Sequence, residues 1–302
     1  GMHYTTPQNI HRVIDPLFLN DLRDELATIR AERVERTKTK KLRAFQDKLA
    51  SLTFLDPACG SGNFLTETYL SLRRLENEVL RILSPQKSFG VEGVSPIKVS
   101  LGQFYGIEIN DFACAVAKTA LWIAESQMIK ETEDIINCYL EFLPLKSYAN
   151  IHEGNALTMD WETVVDKERL TYIMGNPPFV GSYKMSSAQK NEVVNLFGKE
   201  TPLSASLDYV TGWFWKASAL ASGSSIKTAF VSTNSITQGE QVYPLWSTII
   251  NRFGMQIEFA HQTFRWNSEA KDEAHIYCVI IGLSPNKVNG KKKLYVYEDI
   301  NK

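Results

Sequence analysis

The stretch LDPACGSGNFL at residues 55–65 decides the fold, because its two halves belong to different kinds of structure. Its left half closes a short apolar run. Its right half opens a long amphipathic pattern that continues to about residue 83. Strand, glycine turn and helix in direct succession form the opening unit of an α/β sheet. Gly60 and Gly62 let the backbone turn tightly and approach a ligand, beside the free N–H groups of a helix start. The turn lacks the third spaced glycine of a dinucleotide fingerprint and the Gly-Lys-Ser/Thr of a phosphate loop. It carries Asp56 at the strand end, an acid that would repel phosphates and suits an amino group.

The same texture repeats along the chain. QFYGIEIN (103–110) reads as a second strand, and DFACAVAKTALWIAESQM (111–128) as the helix after it. ANIHEGNAL (149–157), LTYIMGNPPF (170–179), SIKTAFVSTNSI (225–236), GMQIEFAHQTF (254–264) and AHIYCVIIGL (274–283) read as five more strands. Strands alternating with helices predict a Rossmann-like, mostly parallel seven-stranded sheet with helices on both faces. Ligands of such sheets bind outside the carboxyl ends of the strands.

Residues 1–50 are expected to be a helical segment ahead of a catalytic domain at 51–302. Ile10, Val13, Ile14, Leu17, Phe18, Leu22 and Leu26 fall near helical spacing, and Pro16 marks a break or a new first turn. The basic run at 30–43 reads as a solvated helix face, and 84–100, rich in Gly, Ser and Pro, as an exposed insertion. In 206–221, Trp213, Phe214 and Trp215 read as core, and Asp208 and Tyr209 as near enough to approach a ligand.

The composition of 44% hydrophobic and 22% charged residues over 302 is that of an ordinary globular chain. No run nears roughly 18 apolar residues, so no membrane span is expected. The net charge of −1 carries no global nucleic-acid signature. Cys59, Cys114, Cys138 and Cys278 lie far apart without a CxxC pair, which argues against zinc or a disulfide scaffold and fits the cytoplasm. The N-terminus has no signal-peptide pattern, and its glycine before methionine reads as a cloning scar.

Three strand tips hold candidate ligand groups. Glu108, at the end of GIEIND, could accept both hydroxyls of a ribose, or serve as an acid at a helix start. Asn110 or Asp111 fills that capping role better. A ribose without phosphates plus an ammonium describes S-adenosylmethionine better than any dinucleotide. Asn155 in HEGNAL could bond an adenine edge, or simply make a turn. GNPPF at 175–179 sets two rigid prolines after a buried strand, aiming Asn176 and Phe179 outward.

Together these strings resemble the amino-group DNA methyltransferases of gamma order, typically N6-adenine enzymes, and most closely the MmeI-like restriction–modification enzymes. DPACGSGNF resembles the cofactor loop, GNPPF the catalytic tetrapeptide, and HYTTPQNI the Tyr-Thr-Pro segment that helps hold the cofactor's methionine part. The resemblance implies S-adenosylmethionine as cofactor, held by Tyr4, Thr5, Asp56, Ala58, Gly60, Gly62, Glu108, Ile109, Asn155 and Ala156. It implies catalysis by Asn176, Pro177, Pro178 and Phe179 on an adenine flipped from double-stranded DNA. No metal is needed. Phe264, with Trp266 behind it, is expected to close the base's other face or else to be core. Family features not seen in the sequence are a nuclease domain and a target-recognition domain, so a catalytic-core fragment or reduced homologue is expected. The alternatives are a methyltransferase for rRNA guanine or a protein glutamine amide, and a non-catalytic DNA-binding subunit.

Overall fold

The computed structural model describes residues 5–83, 96–140, 150–198, 201, 204–266, 276–285 and 291–298. The chain enters through α1 (Pro7–Ile14), capped by the Thr6 hydroxyl, which accepts from Asn9 N, with Pro7 in the first turn. Pro16 was expected to mark a break or a new first turn, and it stands in the first turn of a new helical segment without breaking the helix. A π-helical turn, Asp15–Leu19, runs straight into α2 (Asn20–Arg30), and Asn20 N donates to the Asp15 carbonyl. Proline has no N–H for the usual ladder, so the helix absorbs it by widening for one turn. α3 (Glu35–Ser51) carries the basic run, where Lys41 pairs with Glu32 on the surface.

The core sheet begins with β1 (Phe54–Asp56), α4 (Asn63–Leu83), β2 (Phe104–Glu108), α5 (Asp111–Ile136), β3 (Asn150–Glu153) and β4 (Tyr172–Gly175). It continues with α6 (Ser187–Phe197), α7 (Thr211–Ala221), β5 (Lys227–Thr233), α8 (Val242–Trp246), β6 (Gln256–Trp266), β7 (Ile276–Ser284) and β8 (Lys293–Tyr295). Among the described residues the strand order is β3-β2-β1-β4-β5-β7-β6-β8. β1 to β5 are parallel, and β7 runs antiparallel to both β5 and β6.

Seven strands were expected and an eighth is present: β8 pairs in parallel with β6 at the sheet edge. The stretch around it, KKKLYVYE at 291–298, reads as charged surface, and Leu294 is exposed. Lysines on an edge strand discourage pairing with another chain, and they also hide the strand from a hydrophobic pattern.

Period-two alternation splits each parallel strand between two cores. Phe54, Phe104, Met174 and Val231 face one core together with α1 to α5. Leu55, Ile107, Ile173 and Phe230 face the other, under α6 to α8. The π turn joins the first core directly, since the Phe18 ring lies 5.2 Å from Phe54 and 4.9 Å from Tyr172. With both faces covered, the carboxyl edge of β1 to β5 is where a ligand can reach the sheet. No described helix is long and apolar enough to cross a membrane.

Candidate active site

The turn after β1 folds over the tip of β2. Cys59 N donates to the Ile107 carbonyl at 3.0 Å, and Gly60 N donates to Glu108 Oε2 at 2.9 Å. Glu108 Oε1 accepts from Asn110 N at 3.0 Å, while Asn110 caps α5 by accepting from Ala113 N. Glu108 is therefore not the cap. Its carboxylate is braced by two backbone N–H groups at the strand tip. Gly60 has φ +53° with open space where a Cβ would stand. Gly62 has φ +85°, and a Cβ there would sit 3.0 Å from the Ala117 Cβ on α5. The first glycine thus leaves room beside the loop, and the second lets two helices approach.

Asp56 ends β1 with 1% of its surface exposed and accepts from Ala58 N at 3.0 Å. No cationic side chain pairs with it among the described residues. Burial, with the Glu108 charge adding to it, pushes the Asp56 carboxyl up to about 8. A Cβ on Gly175 would collide with this carboxylate, so the cofactor-type loop and the Asn-Pro-Pro corner touch back to back. Ile109, next to Glu108, is 66% exposed, an apolar side chain held in solvent beside the same loop.

At the corner, Asn176 Nδ2 donates to Thr5 Oγ1 at 3.3 Å, and Thr5 is itself buried. Asn176 Oδ1 is buried and has no hydrogen-bond partner among the described residues. A buried carboxamide oxygen left unpaired is costly and calls for an explanation. Pro177 is buried, Pro178 exposed, and Phe179 half-buried against the edges of both cores.

The corner is held from behind by residues at the start of the apolar run 206–221. Asp208 accepts from Ser182 N at 2.8 Å and from Ser235 Oγ at 2.6 Å. Tyr209 N donates to the Val180 carbonyl at 2.9 Å, and Trp213 Nε1 donates to the Pro57 carbonyl at 3.0 Å. The start of α7 therefore ties together the loops after β1, β4 and β5. The sequence marked Asp208 and Tyr209 as near enough to approach a ligand and Trp213, Phe214 and Trp215 as core; Trp213 and Phe214 do pack as core, and Trp215 is half-buried against it.

At two positions the structure shows the alternative that the sequence also allowed. Asn155 makes the turn: its Oδ1 accepts from Leu157 N, and its Nδ2 donates to Glu192, which also accepts from the Tyr209 hydroxyl. Both ends of its amide are engaged once by the protein, which holds the side chain in the turn. Ala156 is buried, with its carbonyl accepting from Trp161 Nε1. Phe264 is core and does not stand open to a base. It is 0% exposed on β6, with the Arg12 guanidinium 4.7 Å above its ring and Tyr297 at 5.5 Å. Tyr4 and the loop at 267–275 lie outside the described residues. No cluster of three or more His, Cys, Asp or Glu that could hold a metal is found among the described residues.

A parallel sheet with an antiparallel strand next to β5, a glycine turn after β1, an acid at the tip of β2 and an Asn-Pro-Pro-Phe corner after β4 define a class I methyltransferase fold. Within that class the family is specific. Residues 32–296 match the model of the MmeI DNA-methyltransferase domain, and the chain belongs to that family. It is 41% identical over 301 residues to DNA methyltransferase A of Bacillus subtilis (strain 168), covering 99% of this chain and 33% of that protein. It is similar to the type IIL restriction-modification enzyme MmeI, solved in complex with DNA, with a TM-score of 0.91 and 42% identity. That match covers 99% of this chain and 39% of MmeI. The chain thus spans between a third and two-fifths of these relatives. A likeness to the type ISP enzyme LlaBIII, 12% identical with a TM-score of 0.54, extends over 98% of this chain and 20% of LlaBIII and concerns the fold alone.

Proposed function

We propose that this chain is the catalytic core of a restriction–modification DNA methyltransferase that methylates the N6 amine of adenine flipped from double-stranded DNA. The observation that carries the reading is the unpaired, buried Asn176 Oδ1 at a corner stiffened by two prolines. An exocyclic amine offers two hydrogens, and its lone pair is delocalised into the ring. Asn176 Oδ1 and the Pro177 carbonyl, accepting one hydrogen each, favour a pyramidal nitrogen with its lone pair turned outward. Thr5 supports this, since with its hydroxyl accepting from Asn176 Nδ2 the Oδ1 atom is the one left for the amine. Phe179 stacks on the base and holds it flat, contributing roughly 1–3 kcal/mol. Asn176 is too weak a base to take the proton first, so the proton leaves to solvent after transfer.

S-adenosylmethionine, when bound, supplies the electrophilic methyl group. The residues present fit it. Asp56 is a buried acid lacking a cation and suits the ammonium, Glu108 suits the ribose hydroxyls, Gly60 leaves backbone and space free, and Ile109 offers an apolar cover for a purine ring. That MmeI is a DNA-bound restriction-modification enzyme supports DNA as the substrate. Calorimetric titration with S-adenosylmethionine tests the cofactor assignment. Saturable one-to-one binding is expected, and no heat at high micromolar cofactor would overturn it.

A further inference from the structure

Removing an adenine from a duplex leaves a gap in the stack, and the structure presents a side chain suited to fill it. Tyr183 is 99% exposed, the highest exposure of any large apolar or aromatic side chain among the described residues. It lies four residues past Phe179 on the short turn Ser182–Lys184.

This exposure does not come from a loose loop. The Val180 carbonyl is held by Tyr209 N, Ser182 N by Asp208, and Lys184 N by the Gly181 carbonyl at 2.8 Å. Met185 is buried in the second core, and Ser186 opens α6 with a reciprocal cap to Gln189. The turn is therefore pinned on both sides, and its tip holds an aromatic ring away from the protein. Lys184 beside it and Lys190 on the next helix are exposed as well.

Building on the reading of the corner as an adenine N6 site, we infer that Tyr183 is a wedge. It enters the duplex where the target base leaves, stacking on the flanking bases while Lys184 meets the backbone phosphate. A rigidly presented ring loses little freedom on insertion, and stacking on any base requires no particular sequence. Tyr183 is then a positioning residue for the base and does not touch the reacting amine. Its contribution exists only while a base must be extracted from a duplex.

The test needs no knowledge of a recognition sequence. DNA free of adenine methylation is offered to the chain with S-adenosylmethionine, either as native duplex or after heat denaturation. N6-methyladenine is then counted after digestion to nucleosides. Tyr183→Ala should lower the duplex yield about 10- to 100-fold more than the denatured yield. Tyr183→Phe, which keeps the ring, should restore the duplex yield close to wild type. Equal losses on both substrates, or full duplex activity in Tyr183→Ala, would overturn the wedge. A wild-type chain that forms N6-methyladenine on neither substrate would overturn the adenine reading itself, and the wedge with it.

Discussion

Asp56 shows most clearly how one residue trades stability for binding. Its folded pKa of about 8, against an ordinary 3.8, means that the native state keeps a proton which the unfolded chain releases between those values. Its contribution to stability is therefore fully present below pH 3.8 and is lost progressively up to about pH 8. Asparagine mimics the protonated acid and keeps the acceptor for Ala58 N. Asp56→Asn should accordingly raise stability at pH 7 by about 1–2 kcal/mol. The gain should grow from pH 5 to pH 8 in denaturant melts, whereas S-adenosylmethionine affinity should fall at least about tenfold. A variant that loses stability yet keeps its cofactor affinity would show that the acid serves only the fold. The places of Asp56 and Glu108 at the ends of β1 and β2 were legible in the sequence, because an apolar run that stops at a turn marks where a strand ends. The engagement of Asn155 was not, since its partner Glu192 lies on α6 and only the tertiary fold brings the two together.

Among elements, the loops after β1, β4 and β5 depend on the start of α7. Asp208→Ala would leave Ser182 N and Ser235 Oγ without their acceptor. It should cost about 1–3 kcal/mol in stability and lower the rate of methyl transfer well beyond any change in cofactor affinity. Asp208→Asn, which keeps one oxygen acceptor, should recover most of both. Steady-state rates and melts on the two variants check this. Helix α1 offers a second case, since His11 Nδ1 meets Asp15 at 2.7 Å and its Nε2 meets Glu67 of α4 at 3.2 Å. Those hydrogen bonds, Asp15 first, raise the His11 pKa from 6.5 to about 9. Its contribution is thus fully present below pH 6.5 and lost as pH rises through 9. Since this pair is partly solvated, His11→Gln should cost only about 0.5–1 kcal/mol at pH 6. The difference from wild type should vanish above pH 9 in paired thermal melts. The α1 periodicity was legible in the sequence. The π turn that carries it past Pro16 was not, because sequence pattern marks where a proline lies and not how tertiary packing accommodates it. Phe18 of that turn is pressed between Phe54 and Tyr172, which favours widening over a break.

At the scale of the molecule, two cores divided by one sheet leave its carboxyl edge as the shared surface of β1 to β5. The succession of β1 to β7 along the chain was readable because each strand, turn and helix announced itself locally, whereas their order in the sheet and β8 came only with the structure. The open choice at Phe264 had the opposite origin. An aromatic in QTFRW reads equally well as the cover of a base's other face or as core, and only the packing of Arg12 and Tyr297 over it decides for core. The proposed reaction takes place at this edge, and the product it forms on DNA identifies it. Unmethylated DNA is incubated with S-adenosylmethionine and either the wild-type chain or Asn176→Ala, and the methylated nucleosides are then identified by mass spectrometry. N6-methyladenine should form with wild type and fall at least about 100-fold with Asn176→Ala, while the variant still binds cofactor. Methylation of a different base, or equal N6-methyladenine from both proteins, would contradict the claim.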